Sequence, residues 1–221
     1  MSKGIIGTLQ ECSYGRDIAG VPNTVNKVDP FIASQLSGRE ELNYQRINVV
    51  GSSGSGKSTA GKVIAKKLRY PYIELDEIHW KPNWTESTEE ELSFNLKRSL
   101  EGESWVLDGN YSRTAAIKWK RVQLVVWLDL PYWLTLYQVF SRTVRRSVTK
   151  EKLWAGNRES LGKAFFSRDS VIWWCLSNLR KVRRQYLAAM SDPGLGHIRF
   201  VRIRSRRELA NFVAALGQQS D

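Results

Sequence analysis

Apolar positions along the chain alternate between two spacings. "RINVV" (46–50) is a short apolar run that reads as a strand, and Ala60, Val63, Ile64 and Leu68 then recur at helical spacing over 58–68. "YPYIEL" (70–75) predicts a second strand. "TESTEEELSFNLKRSL" opens a helix that Ser87 or Thr88 can cap, with Glu90 or Glu91 three residues on. "SWVLD" (104–108) is a third strand, and "VQLVVWLDL" (122–130) a fourth, almost continuously apolar as a strand buried on both faces should be. Residues 131–147 read as a helix carrying Trp133, Leu136, Tyr137, Phe140 and Val144 on one face. Residues 168–190 form a longer helix with Trp173, Leu176, Leu179, Val182 and Tyr186. "HIRFVRI" (197–203) is a fifth strand, and Ser205 with Glu208 forms a capping box for a last helix ending near Gly217.

Strands alternating with helices imply βαβ units and a parallel sheet covered on both faces, an α/β fold. In such sheets ligands bind at the carboxyl ends of the strands. Segments 51–59, 76–84, 108–113 and 129–131 fall there. Residues 1–44 show no sustained period and contain "VPN" and "VDP", so they read as an irregular extension before a domain over 45–217.

Composition narrows the function classes. The 221 residues suffice for one domain with a sizeable core, and nine tryptophans add large apolar surface. No run approaches the length of a membrane span, and the first twenty residues lack the long apolar centre of a secretory signal. Cys12 and Cys175 have neither metal nor disulfide spacing, so reduced thiols in a cytoplasm are expected. Charge is uneven: residues 1–110 carry 13 Lys/Arg against 15 Asp/Glu, whereas residues 111–221 carry 21 against 7. The second half therefore suits an anionic partner, whether nucleotide phosphate, nucleic acid or an acidic surface. "RKVRR" (180–184) and "RSRR" (204–207) read as solvated surface.

The sharpest chemical signal is Gly51-Ser52-Ser53-Gly54-Ser55-Gly56-Lys57-Ser58, followed by Thr59, which fits G-x-x-x-x-G-K-[ST] at every fixed position. Its glycines let backbone N–H groups turn inward around phosphate oxygens, and the following helix aims its positive end at them. Lys57 would reach the β- and γ-phosphates of ATP, and the Ser58 hydroxyl would hold Mg²⁺. A Gly/Ser linker does not explain the strand before it or the Lys-Ser-Thr after it. The dinucleotide pattern G-x-G-x-x-G does not fit.

Phosphoryl transfer needs a carboxylate for the metal. Asp108 and Asp129 each end an apolar strand. Asp108 begins "DGNYSR" and is the metal candidate, while Asp129, two residues before Pro131, reads as a helix cap. "ELDEIHWKPNW" (74–84) lies where an acceptor would approach, with Asp76 and Glu77 among its acids. Asp76 is either a group that takes or orients the proton of an attacking hydroxyl, or a structural carboxylate. Trp80, Trp84 and His79 form a flat wall for a ring or are core, with His79 a satisfied polar residue. Arg142, Arg145 and Arg146 near the end of one helix, with Arg158 and Arg168 beyond the connection, suit a segment that closes over a triphosphate, or a solvated basic face.

Taken together, the phosphate loop, "ELDEIHWKPNW", "WVLDGNYSR" and "VVWLDLP" resemble the adenylate-kinase-related P-loop proteins, many of which are called DNA topology modulation protein or adenylate kinase-like. The resemblance covers about residues 46–216. It implies a three-layer nucleoside/nucleotide kinase-like fold with a five-stranded parallel sheet in 2-3-1-4-5 order, which sets Asp108 beside the phosphate loop. It also departs from that pattern. "DGNYSR" replaces the "DGFPR" of adenylate kinases and displaces Arg113. "LDEIHW" stands where they have "TGD" and is closer to shikimate or gluconate kinase. Arg142 and Arg146, one helical turn apart, resemble the arginines that open the adenylate kinase lid, and Arg158 and Arg168 those that close it, around a short lid over 142–168.

The expectation is a Mg-ATP-dependent kinase acting on a nucleotide or another small acceptor. Lys57, Asp76, Arg142, Arg146 and Arg158 would serve transfer, residues 51–59 the nucleotide, and Ser58 and Asp108 the metal. The alternative is a nucleic-acid-associated P-loop protein whose basic half holds phosphate backbone. A degraded P-loop domain with a structural role is opposed by the intact Lys57, Ser58 and Asp108. Oligomeric state is left between monomer and dimer.

Overall fold

The structure is a computed structural model that describes residues 44–149, 154–156 and 171–216. Among the described residues, seven strands and seven helices run in the order β1 (Arg46–Gly51), α1 (Lys57–Leu68), β2 (Tyr72–Glu74), α2 (Leu75–His79), β3 (Trp80–Lys81), β4 (Thr85–Glu86), α3 (Glu89–Ser99), β5 (Trp105–Asp108), α4 (Ala115–Lys118), β6 (Leu124–Leu128), α5 (Tyr132–Thr149), α6 (Val171–Met190), β7 (Arg199–Ile203) and α7 (Arg206–Ala215). The main sheet is parallel throughout, in the order β2-β5-β1-β6-β7. Counting only its own strands along the chain, this is the expected 2-3-1-4-5 order. β3 and β4 form a separate antiparallel hairpin.

The strands are apolar on both faces because both faces are covered. Ile47, Val49, Val106, Leu124, Val126, Leu128, Val201 and Ile203 pack with α1 and with Phe212 and Leu216 at the chain's end. Val50, Trp105, Leu107, Val125 and Trp127 point the other way, onto Leu75 of α2, Leu96 of α3, and Val182 and Tyr186 of α6. Residues adjacent in sequence thus alternate between two cores, giving a three-layer α/β fold.

Local chemistry sets most boundaries. Thr88 caps α3: its hydroxyl accepts from Glu91 N–H at 3.2 Å, while the Glu91 carboxylate accepts from Thr88 N–H at 2.8 Å. At α7 the Ser205 hydroxyl accepts from Glu208 N–H at 3.1 Å, but the Glu208 carboxylate takes the N–H of Arg204 instead of that of Ser205. β2 is shorter than the expected 70–75, because Leu75 already opens α2, whose first turn holds Asp76 and Glu77 where a helix favours negative charge.

One expectation is corrected here. Asp129 does not cap α5. Its carboxylate accepts two hydrogen bonds from the Arg202 guanidinium and lies 3.5 Å from Arg183 Nε. On α5, Trp133, Tyr137 and Phe140 of the face read from the sequence are exposed. Residues 1–43, the expected first residues of α6 (168–170) and Gly217 lie outside the described residues. Among the described residues no helix is long and apolar enough to cross a membrane.

Lys118 ends α4 fully buried. Its Nζ donates to the Gly109 carbonyl at 3.2 Å, and burial pushes its pKa down to about 7. The unfolded amine keeps its proton to a much higher pH. Between the two values the unfolded chain therefore binds a proton that the folded chain has released, and this residue's contribution to stability rises with pH above about 7 and is flat below it. Against a Lys118→Met variant, the native chain should gain about 1 kcal/mol of relative stability per pH unit above neutrality, read from urea melts at about pH 7 and about pH 9.5.

Candidate functional site

The glycine–serine loop leaves β1 at the carboxyl edge of the sheet and runs into α1. Gly54 adopts φ +76°, and a Cβ there would meet a Val139 methyl at 2.4 Å and the Thr135 carbonyl at 2.9 Å, so only glycine fits this close approach to α5. Lys57 and Ser58 are buried at the start of α1. Gln138 of α5, with its amide turned to satisfy both ends, donates to the Gly54 carbonyl at 2.6 Å. The loop is therefore braced by the helix that carries the candidate lid arginines.

The loop is also held from β5. The Asn110 side chain accepts from the Gly51 N–H at 2.9 Å and donates to the Gly51 carbonyl. Tyr186 donates to the same Asn110 oxygen at 3.4 Å. Gly109, at φ +140°, lies against Leu75, where a Cβ would fall 2.6 Å from the leucine Cβ. Its carbonyl accepts from Asn48 Nδ2 at 3.3 Å as well as from Lys118.

Asp108 stands directly across from Val49 of β1 and from Glu74 of β2. Its Oδ2 accepts from the Tyr72 hydroxyl at 2.7 Å, and Tyr72 also interacts with Ser58. Oδ1 is buried without a hydrogen-bond partner. A carboxylate oxygen left over beside Ser58 is the donor a divalent cation, or its bound water, would take, so this pair fits Mg²⁺.

Asp76 is fully buried. Its Oδ1 accepts from the Tyr111 hydroxyl at 2.6 Å, and its Oδ2 has no partner. Burial raises its pKa well above the usual carboxylate range; the Tyr111 hydrogen bond opposes this, Asp108 adds to it and Arg142 pulls it back. Asp76 therefore feels the charge of both the candidate metal carboxylate and a candidate lid arginine. Arg142 and Arg146 are both buried on the inner face of α5, and Arg142 lies 3.5 Å from the Ser53 hydroxyl of the phosphate loop. Arg145 points outward. Arg158 and Arg168 lie outside the described residues.

The hairpin and α2 make an aromatic enclosure next to Asp76. His79 lies 4.8 Å from both the Trp80 and Tyr111 rings, and Trp80 meets Trp84 edge-on at 5.6 Å. His79 is not the satisfied polar residue expected. Its Nε2 is 3.7 Å from the Glu86 carboxylate, and its Nδ1 is buried without a partner because rings occupy its surroundings. Burial, the main influence, lowers its pKa. Arg113 faces Glu86 at 3.6 Å and Glu89 at 3.9 Å. Trp154 closes the enclosure from beyond α5, donating to Glu74 at 2.9 Å. Burial and Asp108 both raise the pKa of Glu74.

The sequence reading missed Tyr72, Glu74, Asn110, Tyr111 and Trp154. Tyr72 and Glu74 share the i, i+2 spacing of one strand face, and Asn110 and Tyr111 stand inside "DGNYSR", so a signal was present for these four. Nothing in the local pattern marks Trp154, whose partner is 80 residues away.

Comparison with known proteins follows this geometry. The shikimate kinase family profile matches residues 53–92, which span the phosphate loop to the start of α3. A putative adenylate kinase of Thermococcus gammatolerans is 34% identical over 73 residues, 30% of this chain and 41% of that protein. A gluconokinase of Arabidopsis thaliana is 30% identical over 89 residues, 33% of this chain and 46% of that protein. The chain thus spans less than half the length of these two relatives. A crystal structure of shikimate kinase from Bacteroides thetaiotaomicron superposes with a TM-score of 0.46 at 16% identity, covering 78% of this chain and 96% of that one.

Asn110→Ala would strand both backbone groups of Gly51 in a buried setting, costing about 2–4 kcal/mol in a urea melt. Binding of a non-hydrolysable ATP analogue, measured by calorimetry, should weaken roughly tenfold as the loop loses its tether, about 1.4 kcal/mol. Asn110→Asp keeps the acceptor but not the donor and should fall between.

With its parallel sheet in 2-3-1-4-5 order and a phosphate loop after the first strand, the chain has a three-layer α/β P-loop fold, and part of it is similar to the shikimate kinase family and to a putative adenylate kinase.

Proposed function

We propose that the chain is a Mg-ATP-dependent kinase that transfers the γ-phosphoryl group to a hydroxyl of a small acceptor seated between Asp76 and the aromatic enclosure. The observation that carries the reading is Asp76 itself, a fully buried carboxylate with one oxygen unpartnered and the other held by Tyr111. Buried carboxylates of raised pKa suit a base that accepts a proton near neutrality. Likenesses to kinases named for shikimate and gluconate, both polyhydroxy compounds, agree with an alcohol as acceptor.

In this reading residues 51–59 wrap the triphosphate, and Lys57 faces the β- and γ-phosphates. Ser58 and Asp108 would hold the Mg²⁺ that accompanies the nucleotide and supplies charge neutralisation there. The acceptor hydroxyl oxygen forms a bond to the γ-phosphorus as the bond to the β,γ-bridging oxygen breaks. ADP leaves with that electron pair, and the hydroxyl proton passes to Oδ2 of Asp76. Tyr111 holds Oδ1 and fixes which oxygen is offered. Arg142 and Arg146 face the charge that spreads over the transferring group. Trp154 covers the acceptor side and excludes water. Arg158 would join the lid from the segment after Gly156.

The test is ADP release by the purified chain with Mg²⁺ and ATP across a panel of nucleosides, nucleoside monophosphates and polyols. One class of acceptor should give a stoichiometric phosphorylated product. Asp76→Asn should lower kcat about 10²–10⁴-fold with the KM for ATP nearly unchanged. Lys57→Ala should abolish transfer. If ATP binds tightly and no acceptor is phosphorylated, while added DNA or RNA alters ATP turnover, the kinase reading fails and a nucleic-acid-responsive switch replaces it. Replacing Trp154 with alanine should raise the KM for the acceptor several-fold and leave that for ATP alone.

A further inference from the structure

The ring of Tyr72 in β2 is placed by packing, and its hydroxyl then makes contacts that the packing does not need. Gly61 lies in the middle of α1, where a helix disfavours glycine. A Cβ there would fall 2.9 Å from Tyr72 Cε2 and 3.8 Å from the Asp108 Cβ, so the missing side chain lets the ring lie against the helix. Lys62 Nζ covers the ring at 5.4 Å from its centroid. A phenylalanine would fill the same place.

The hydroxyl reaches two residues at once. It donates to Asp108 Oδ2 at 2.7 Å and is hydrogen-bonded to the Ser58 side chain. A phenol has a single proton to give. Because that proton goes to Asp108, the Ser58 bond runs the other way, with the serine hydroxyl donating to the Tyr72 oxygen. The bonds therefore run from Ser58 to Tyr72 to Asp108, and each polarises the next. The carboxylate at the end can only accept, which fixes the direction.

Both consequences fall on the pair that fits Mg²⁺. The Ser58 proton is turned toward Tyr72, which leaves the lone pairs of the serine oxygen for a cation. Asp108 Oδ2 is engaged, which leaves Oδ1, buried without a hydrogen-bond partner, as the oxygen on offer.

We propose that Tyr72 is a positioning residue of the metal site, one that restricts Asp108 to a single-oxygen contact and so favours Mg²⁺ over Ca²⁺. Mg²⁺ is small, keeps several waters and is content with one carboxylate oxygen, whereas Ca²⁺ takes more oxygens and readily uses both of a carboxylate. Partners that orient a metal's ligands are typically worth about 10–100-fold in metal affinity. The inference rests on the reading of Ser58 and Asp108 as metal-holding residues, and not on which acceptor is phosphorylated.

Calorimetric titration of a non-hydrolysable ATP analogue into the full chain, in Mg²⁺, in Ca²⁺ and in a chelator, tests it. In the native chain Mg²⁺ should tighten binding relative to the chelator, and Ca²⁺ should do so less. Tyr72→Phe keeps the ring and removes the hydroxyl. The gain from Mg²⁺ should then fall about tenfold, while the gain from Ca²⁺ holds or rises and binding in the chelator stays within about twofold. Gly61→Ala keeps the hydroxyl but displaces the ring, and should move the Mg²⁺-to-Ca²⁺ ratio in the same direction. A merely structural role would weaken binding alike in all three conditions, and that result overturns the inference. So does an unchanged Mg²⁺-to-Ca²⁺ ratio in Tyr72→Phe. Asp108→Asn separates the two possible failures. If it leaves the gain from Mg²⁺ untouched, the metal reading and the role of Tyr72 fall together; if it removes that gain and Tyr72→Phe does not reduce it, the role of Tyr72 alone falls.

Discussion

The two-point hydrogen bond between the Asn110 amide and the backbone of Gly51 is the constraint on which the rest of the site depends. β1 and β5 pair as far as Val49 and Asp108. Beyond that the chains must diverge, one into the phosphate loop and the other toward the acceptor side. A side-chain amide presents a donor and an acceptor in the same plane, as a peptide group does, so Asn110 continues the ladder by one rung after the backbones part. That rung fixes where the phosphate loop begins. Tyr186 holds the asparagine from behind, and the Gly109 carbonyl, held by Asn48 and Lys118, fixes the turn before it. Asp108 then has no freedom to leave the edge of the sheet, and its second oxygen remains without a partner.

Burial of charge is the second organising term. Lys57, Asp76, Asp108, Arg142, Arg146 and Lys118 are all buried. Each such group costs several kcal/mol to desolvate unless it is compensated. The compensation is uneven. Tyr72 and Tyr111 each serve one oxygen of a carboxylate and leave the other without a partner. A fold selected for stability alone would close those valences or replace the residues with apolar ones. Keeping them open sets aside acceptor capacity at two points along the same flank of the phosphate loop, one at the end of β5 beside β1 and one beyond β2, which suits a metal-bearing donor next to the loop and a hydroxyl-bearing acceptor further out.

Much of this was legible in the sequence, and the reasons differ by residue. The phosphate loop and the buried strands follow from spacing that physics keeps rigid, glycines where backbone must approach phosphate and strands apolar on both faces, whereas the strand order, and with it the place of Asp108, came from the resemblance to the adenylate-kinase-related proteins. Helix α2 was not legible, because a five-residue helix has too few positions to show a period, and so the burial of Asp76 could not be read. Asp129 was misread because a carboxylate near a helix start has two available partners. Only the register of β7 on β6, which pairs Trp127 with Arg202, brings the guanidinium within reach and favours ion pairing over capping. The excess of positive charge in the second half was read as the footprint of an anionic partner. Part of it is instead used inside the fold, in Arg202 and Arg183 about Asp129, Arg121 on the carbonyls of Leu100 and Gly102, and the two arginines of α5.

Helix α5 shows why a period alone cannot say which side is in. Its sequence has two competing faces. Thr135, Val139, Arg142, Thr143 and Arg146 lie on one, and Trp133, Tyr137, Phe140, Val144 and Val148 on the other. Hydrophobic burial alone would turn the aromatic face inward. The helix begins directly after β6 and must pass over the phosphate loop, where Gly54 admits only the short side of a valine and a threonine carbonyl. No aromatic ring fits in that gap, and the arginines gain more near phosphate than in water because an apolar wall shields them. The arginine-bearing face therefore takes the interior, and the aromatic face is displaced outward.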